Sequence, residues 1–169
     1  MKTRTHVLVL MAVLVAIGTA TAGTLWFPAG LAKAYPMQHA INVLAGVFLS
    51  PAQALTVAFA IALLRNLLGL GTLMAFPGSM VGALLAGLAF HWSDGKLVAA
   101  LAGEVIGTGI LGALLSVPIV RFVLGQEAAI FFFIPPFVIS SGAGALLGGA
   151  LALALNRVGI ASSFLESQR

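Results

Sequence analysis

The chain has 169 residues, of which 61% are hydrophobic and only 7% charged, and its mean hydropathy is +1.15. A soluble domain carries about 25% charged residues, so this chain cannot cover a water-facing surface and reads as an integral membrane protein. Its net charge of +4 comes from scattered Lys and Arg, which suits orientation in a membrane and gives no basic patch for nucleic acid. The lack of cysteine excludes disulfides, thiol catalysis and cysteine metal sites. The apolar runs are continuous rather than alternating, and they are rich in glycine and alanine. Both features argue for closely packed helices against a β-barrel.

The first apolar segment runs from His6 to Ala22. It carries Ala12, Ala16 and Ala20 at intervals of four, a flat stripe on one helix face that lets another helix approach closely, inside the bundle or outside it. The same stretch has the form of a secretory signal, with Ala20-Thr21-Ala22 as a cleavage site. Retention as a span is the expectation. The loop "GTLWFPAGLAKAYP", Gly23 to Pro36, is long for a helix connection. Its Trp26, Phe27 and Tyr35 suit either an interfacial belt or a lid whose rings cover a flat ligand.

The second segment, Met37 to Leu49, is short for a hydrocarbon core that needs about 20 helical residues, so it relies on tilt or on burial against its neighbours. In "PMQHAIN", Gln38, His39 and Asn42 share roughly one helix face, which must look at protein or a water-filled cavity beneath the proposed lid. "SPAQ", Ser50 to Gln53, sets an N-cap serine, a first-turn proline and a capping-box glutamine in order. The third segment, Pro51 to Leu68, carries Arg65 and Asn66 side by side. A lipid-facing arginine at the centre of a span costs roughly 2.5–3.5 kcal/mol, so the pair belongs at a membrane surface or inside the protein.

The fourth segment, Thr72 to His91, is expected to bend at Pro77-Gly78. The fifth runs from Leu97 to Ser116 and on towards Leu124, with Glu104 about two turns in and Thr108 one turn further. A carboxylate at that depth must be protonated, paired (with Arg65 or Arg121) or facing a cavity. The last segment, Ile130 to Leu155, starts loosely at Pro135-Pro136 and carries Ser140 and Ser141, hydroxyls expected to bond back to their own helix. Six spans with the amino terminus inside put Lys2, Arg4, Lys96, Arg157 and Arg169 on the cytoplasmic side and Lys33, Arg65 and Arg121 towards the outside. Both termini are then cytoplasmic, in a single transmembrane domain spanning 1–169.

Ser79, His39 and Glu104 have no spacing that ties them into a hydrolase triad, and "FPGSMVG" is not a nucleophile elbow. No metal-ligand pattern and no phosphate loop occur, so ATP-driven work would need separate subunits.

Six spans, an alanine-striped first helix and a long first loop resemble an S-component of an energy-coupling-factor (ECF) vitamin transporter. Within that group, "PMQHAINVLAGVFLSPAQA", "LLRNLLGLGTLMAFPGSMVGALLAGL" and "GEVIGTG" resemble the thiazole-precursor component ThiW. The resemblance implies an all-α S-component bundle in a prokaryotic plasma membrane, without enzymatic activity or cofactor. Such components capture a vitamin or precursor at the outer side. They then dock on a transmembrane coupling protein driven by two ATPase subunits and topple to release it. The alanine motif, here Ala12, Ala16 and Ala20, is the family's docking surface. The implied ligand is the hydroxyethylthiazole moiety of thiamine. For such a ligand, Trp26, Tyr35 and Phe76 can supply a flat slot, and His39, Asn42, Asn66, Glu104 and Thr108 can supply polar contacts. Arg65 can neutralise Glu104, hold the lid or recognise a phosphate. Two other readings compete: a stand-alone transporter using Glu104 as proton carrier, and an assembly subunit whose polar groups pair only with one another. No convincing inverted repeat supports the first.

Overall fold

The computed structural model describes residues 2–29, 32–127 and 129–158. Arg169, expected on the cytoplasmic side, lies outside the described residues. Among the described residues the longer helices are α1 (Lys2–Ala20), α2 (Pro36–Phe48), α3 (Pro51–Leu67), α4 (Ala75–Trp92), α5 (Leu97–Val123) and α6 (Ile134–Arg157). A small antiparallel hairpin, β1 (Phe27–Ala29) and β2 (Ala32–Ala34), fills the connection from α1 to α2. Of the expected six spans, four helices (α1, α4, α5 and α6) are long and apolar enough to cross a membrane. α3 is apolar but has 17 residues, a rise of about 25 Å against a hydrocarbon core of about 30 Å.

α2 has 13 residues and is the axis of the bundle, with every side chain from Gln38 to Phe48 buried. A helix enclosed by protein need not match the bilayer thickness, which is how so short a segment is accommodated. α6 and α4 flank it, α5 packs on α4, and α3 bridges α4 and α1. The close approach of α6 to α2 requires Gly144, where a methyl group would collide with His39 Cβ and the Pro36 carbonyl. α1 is the peripheral helix. It presses Leu14 and Gly18 inward, Gly18 against Ile61, while Ala12, Ala16 and Ala20 face away from the bundle.

The local signals explain the helix ends. Gln53 N–H donates to Ser50 Oγ (3.4 Å) and Ser50 N–H to Gln53 Oε1 (3.0 Å), the reciprocal capping box that starts α3 after a tight turn. α3 stops in a Schellman motif: Leu70 N–H reaches the Arg65 carbonyl (2.8 Å), Gly69 N–H reaches that of Asn66 (3.1 Å), and Gly69 takes φ +70. α4 begins at Ala75, not Thr72, so Pro77 sits in its first turn where an N–H has no helical partner to lose. The expected bend at Pro77-Gly78 is therefore unnecessary. Likewise Pro135 and Pro136 occupy the first turn of α6, which starts at Ile134 rather than Ile130. α5 is continuous but widens into π turns at Gly107–Gly112 and Ile119–Val123.

Candidate functional site

The end of α1, the hairpin, the start of α2, the end of α3, the start of α4 and the start of α6 converge at one end of the bundle. They line a cavity of about 510 Å³, to which the π turn of α5 contributes Thr108. That volume suits a small organic molecule. Residue alternation in the hairpin explains its inner face. Pro28 and Lys33 are register partners, so their side chains share a side, and Trp26 and Tyr35 lie two residues from each. Trp26, Lys33 and Tyr35 accordingly all line the cavity. Lys33 Nζ stands 4.1 Å from the centroid of the Trp26 ring. The hairpin is pinned to α6 by Tyr35 N–H donating to Ser140 Oγ (2.8 Å).

Arg65 comes up from the end of α3 and is 2% exposed. Its guanidinium carbon lies 4.4 Å from the centroid of the Tyr35 ring, and Nη2 donates to the Leu70 carbonyl at 3.2 Å. The ring face supplies a cation–π contact, and the Schellman turn supplies the carbonyl. The costly arginine is thus held inside the protein against the cavity, away from lipid.

Glu104 is fully buried one layer beneath the cavity. Its Oε1 lies 2.8 Å from His39 Nδ1, 3.1 Å from Asn42 Nδ2 and 2.9 Å from Thr108 Oγ1. His39 and Thr108 reach past it to line the cavity, while Asn42 also donates to the Ser79 carbonyl (3.1 Å). Thr108 Oγ1 is also 3.0 Å from the Gly78 carbonyl, and its single proton serves one acceptor at a time. Glu104 Oε2 and Asn42 Oδ1 are buried without a hydrogen-bond partner. The cluster sits tight against α4 because Gly82 has no side chain; a methyl there would collide with Thr108 Oγ1 and come within 2.5 Å of Glu104 Oε2. Glu104 is therefore paired with a histidine from α2. A pairing with Arg65, one of the alternatives the sequence left open, does not form, since that guanidinium turns to Tyr35 and Leu70.

Of the residues expected to bind a ligand, Trp26, Tyr35, His39, Arg65 and Thr108 line one cavity, with Asn42 and Glu104 directly behind His39. Two lie elsewhere. Phe76, in the first turn of α4, packs on Phe59 of α3 (centroids 5.8 Å apart) and does not line the cavity. Asn66 ties the end of α3 to the loop beyond it, donating to the Ala62 (2.8 Å) and Thr72 (3.1 Å) carbonyls. The apolar wall is formed instead by Met74, Phe133, Pro136 and Phe137. The helical spacing of Phe133 and Phe137 in "FFFIPPF" was a signal available for that wall. Ser141 bonds back to the Phe137 carbonyl (2.7 Å) as expected, whereas Ser140 serves the hairpin. Among the described residues no cluster of His, Asp and Glu could hold a metal ion.

No curated protein and no solved structure matches the chain. Residues 8–158 match the family model of ThiW, described as a thiamine-precursor transporter protein. A small-molecule cargo and a membrane setting follow from that family and agree with the four long apolar helices. The chain belongs to the ThiW family of thiamine-precursor transporter proteins.

Proposed function

We propose that this protein is the substrate-binding subunit of an ECF-type transporter in a prokaryotic plasma membrane. Its cargo is a thiamine precursor containing the hydroxyethylthiazole moiety, and it catalyses no reaction. The observation that carries this reading is the cavity under the hairpin. Aromatic rings of the hairpin (Trp26, Tyr35) and of the start of α6 (Phe133, Phe137) line a space of about 510 Å³, together with the polar side chains of His39, Thr108 and Arg65. That combination suits a small heteroaromatic ring with one polar substituent. In the proposed topology, six spans with both termini in the cytoplasm, the cavity lies at the outer side, where capture from the medium begins.

Energy comes from outside the chain: a transmembrane coupling protein and two ATPase subunits. Ala12, Ala16 and Ala20 on the outward face of α1 form the flat surface on which the coupling protein docks. A second reading is favoured by one observation, the buried His39–Glu104 pair at the cavity wall. Such a pair can pass a proton, so a stand-alone proton-coupled transporter built on Glu104 is the competitor. Reconstitution separates them. Uptake of labelled hydroxyethylthiazole into liposomes is expected to require coupling subunits and ATP. Ala16→Trp is expected to abolish that uptake while leaving binding intact, because the added bulk sits on the docking face. Uptake by this protein alone under a pH gradient would establish the competitor instead.

A further inference from the structure

The cavity wall carries two cationic side chains and no carboxylate. Arg65 and Lys33 both line it, and no Asp or Glu does among the described residues. Glu104 is close in sequence to Thr108 but spends its bonded oxygen on His39, Asn42 and Thr108, one layer behind the wall. Arg65 is the larger anomaly. It is 2% exposed, makes one hydrogen bond through Nη2 and keeps Nε buried with no partner. A guanidinium held so far from water without an anion is costly, and the cost is removed when an oxyanion meets its remaining donors. The Tyr35 ring and the Leu70 carbonyl fix its plane, which is what two-point recognition of a phosphate or carboxylate needs. Lys33 adds a mobile point charge from the hairpin, resting on Trp26.

We propose that the cavity takes its heteroaromatic cargo as an anion. The ring lies against Trp26, Phe133 and Phe137, and an oxyanion on its substituent, a phosphate monoester or a carboxylate, is paired by Arg65 and Lys33. This rests on the transport reading of the same cavity and narrows the cargo's chemical class. A neutral alcohol leaves the buried guanidinium unsatisfied, whereas an anion satisfies it.

The test is calorimetric titration of the purified full chain in detergent with hydroxyethylthiazole, its phosphate ester and the corresponding thiazolyl acetate. One of the two anions is expected to bind about tenfold or more tightly than the alcohol, with affinity that falls as salt rises. Which anion wins identifies the source of the charge. Arg65→Met and Lys33→Gln should each remove most of that preference, and Lys33 is exposed, so its variant does not depend on the fold tolerating a core change. Binding of the alcohol as tight as or tighter than both anions overturns the proposal and leaves the transport reading in place. If none of the three binds but phenyl phosphate does, in an Arg65-dependent way, the anion site stands and the thiazole cargo fails. Silence with all four overturns both.

Discussion

Glu104 and Arg65 are both enclosed by an apolar bundle, and their local partners differ. Glu104 is held by three polar partners from two helices converging on one oxygen, the nearest being His39 Nδ1 at 2.8 Å. Arg65 has a ring face and a carbonyl at the end of its own helix. Removing one partner of a buried pair costs about 3–5 kcal/mol, because the other is left desolvated and alone. Glu104→Ala is therefore expected to destabilise the protein by about 3 kcal/mol or more. Glu104→Gln, which keeps acceptor oxygen and shape, should cost distinctly less. Denaturation of both variants in detergent checks this, and equal stability of the two would contradict a structural role for the cluster. The depth of Glu104 was legible from the cost of a carboxylate in an apolar run. Its partner was not, since His39 lies 65 residues away on another helix, and chain spacing says nothing of how two helices are rotated towards each other.

At the scale of elements, glycine determines how deep the polar cluster can sit. α4 and α5 touch where Gly82 faces Thr108 and Glu104. Gly82→Ala would force a methyl into that contact, and overpacking of this kind costs about 1–3 kcal/mol. Gly142, on α6, meets nothing within 4 Å of an added methyl, so Gly142→Ala should be neutral or stabilise by up to about 1 kcal/mol through helix propensity. Thermal unfolding of the two variants should diverge in sign or at least clearly in size. Matching behaviour would contradict the close α4–α5 contact. Helix identity was readable at this scale because continuous apolar runs, the capping box and the prolines are local signals. The start of α4 was misplaced by three residues because Leu73 and Met74 extend the apolar run without being helical. Phe76 packs on Phe59 and does not line the cavity, which spacing alone could not show. The hairpin's inner face was legible only as a set of aromatics in a loop; its two-residue alternation needed the strand pairing to emerge.

In the described residues a buried axis, α2, is wrapped by helices with a cavity at one end, and α1 presents Ala12, Ala16 and Ala20 on its outward side. Under the proposed function, cargo is captured in the cavity and the coupling protein docks on Ala12, Ala16 and Ala20, none of which lines that cavity. Binding in the cavity should therefore be measurable in the isolated chain. The most direct measurement is fluorescence titration of the purified protein with hydroxyethylthiazole and its phosphate ester, with thiamine and the pyrimidine precursor as controls. Trp26 lines the cavity and the other tryptophan, Trp92, ends α4 and does not. Saturable quenching by a thiazole form, absent with the pyrimidine and lost in Trp26→Phe, is the predicted result. A flat titration with both thiazole forms, or quenching that persists in Trp26→Phe and vanishes in Trp92→Phe, would contradict a thiazole-precursor site beneath the hairpin.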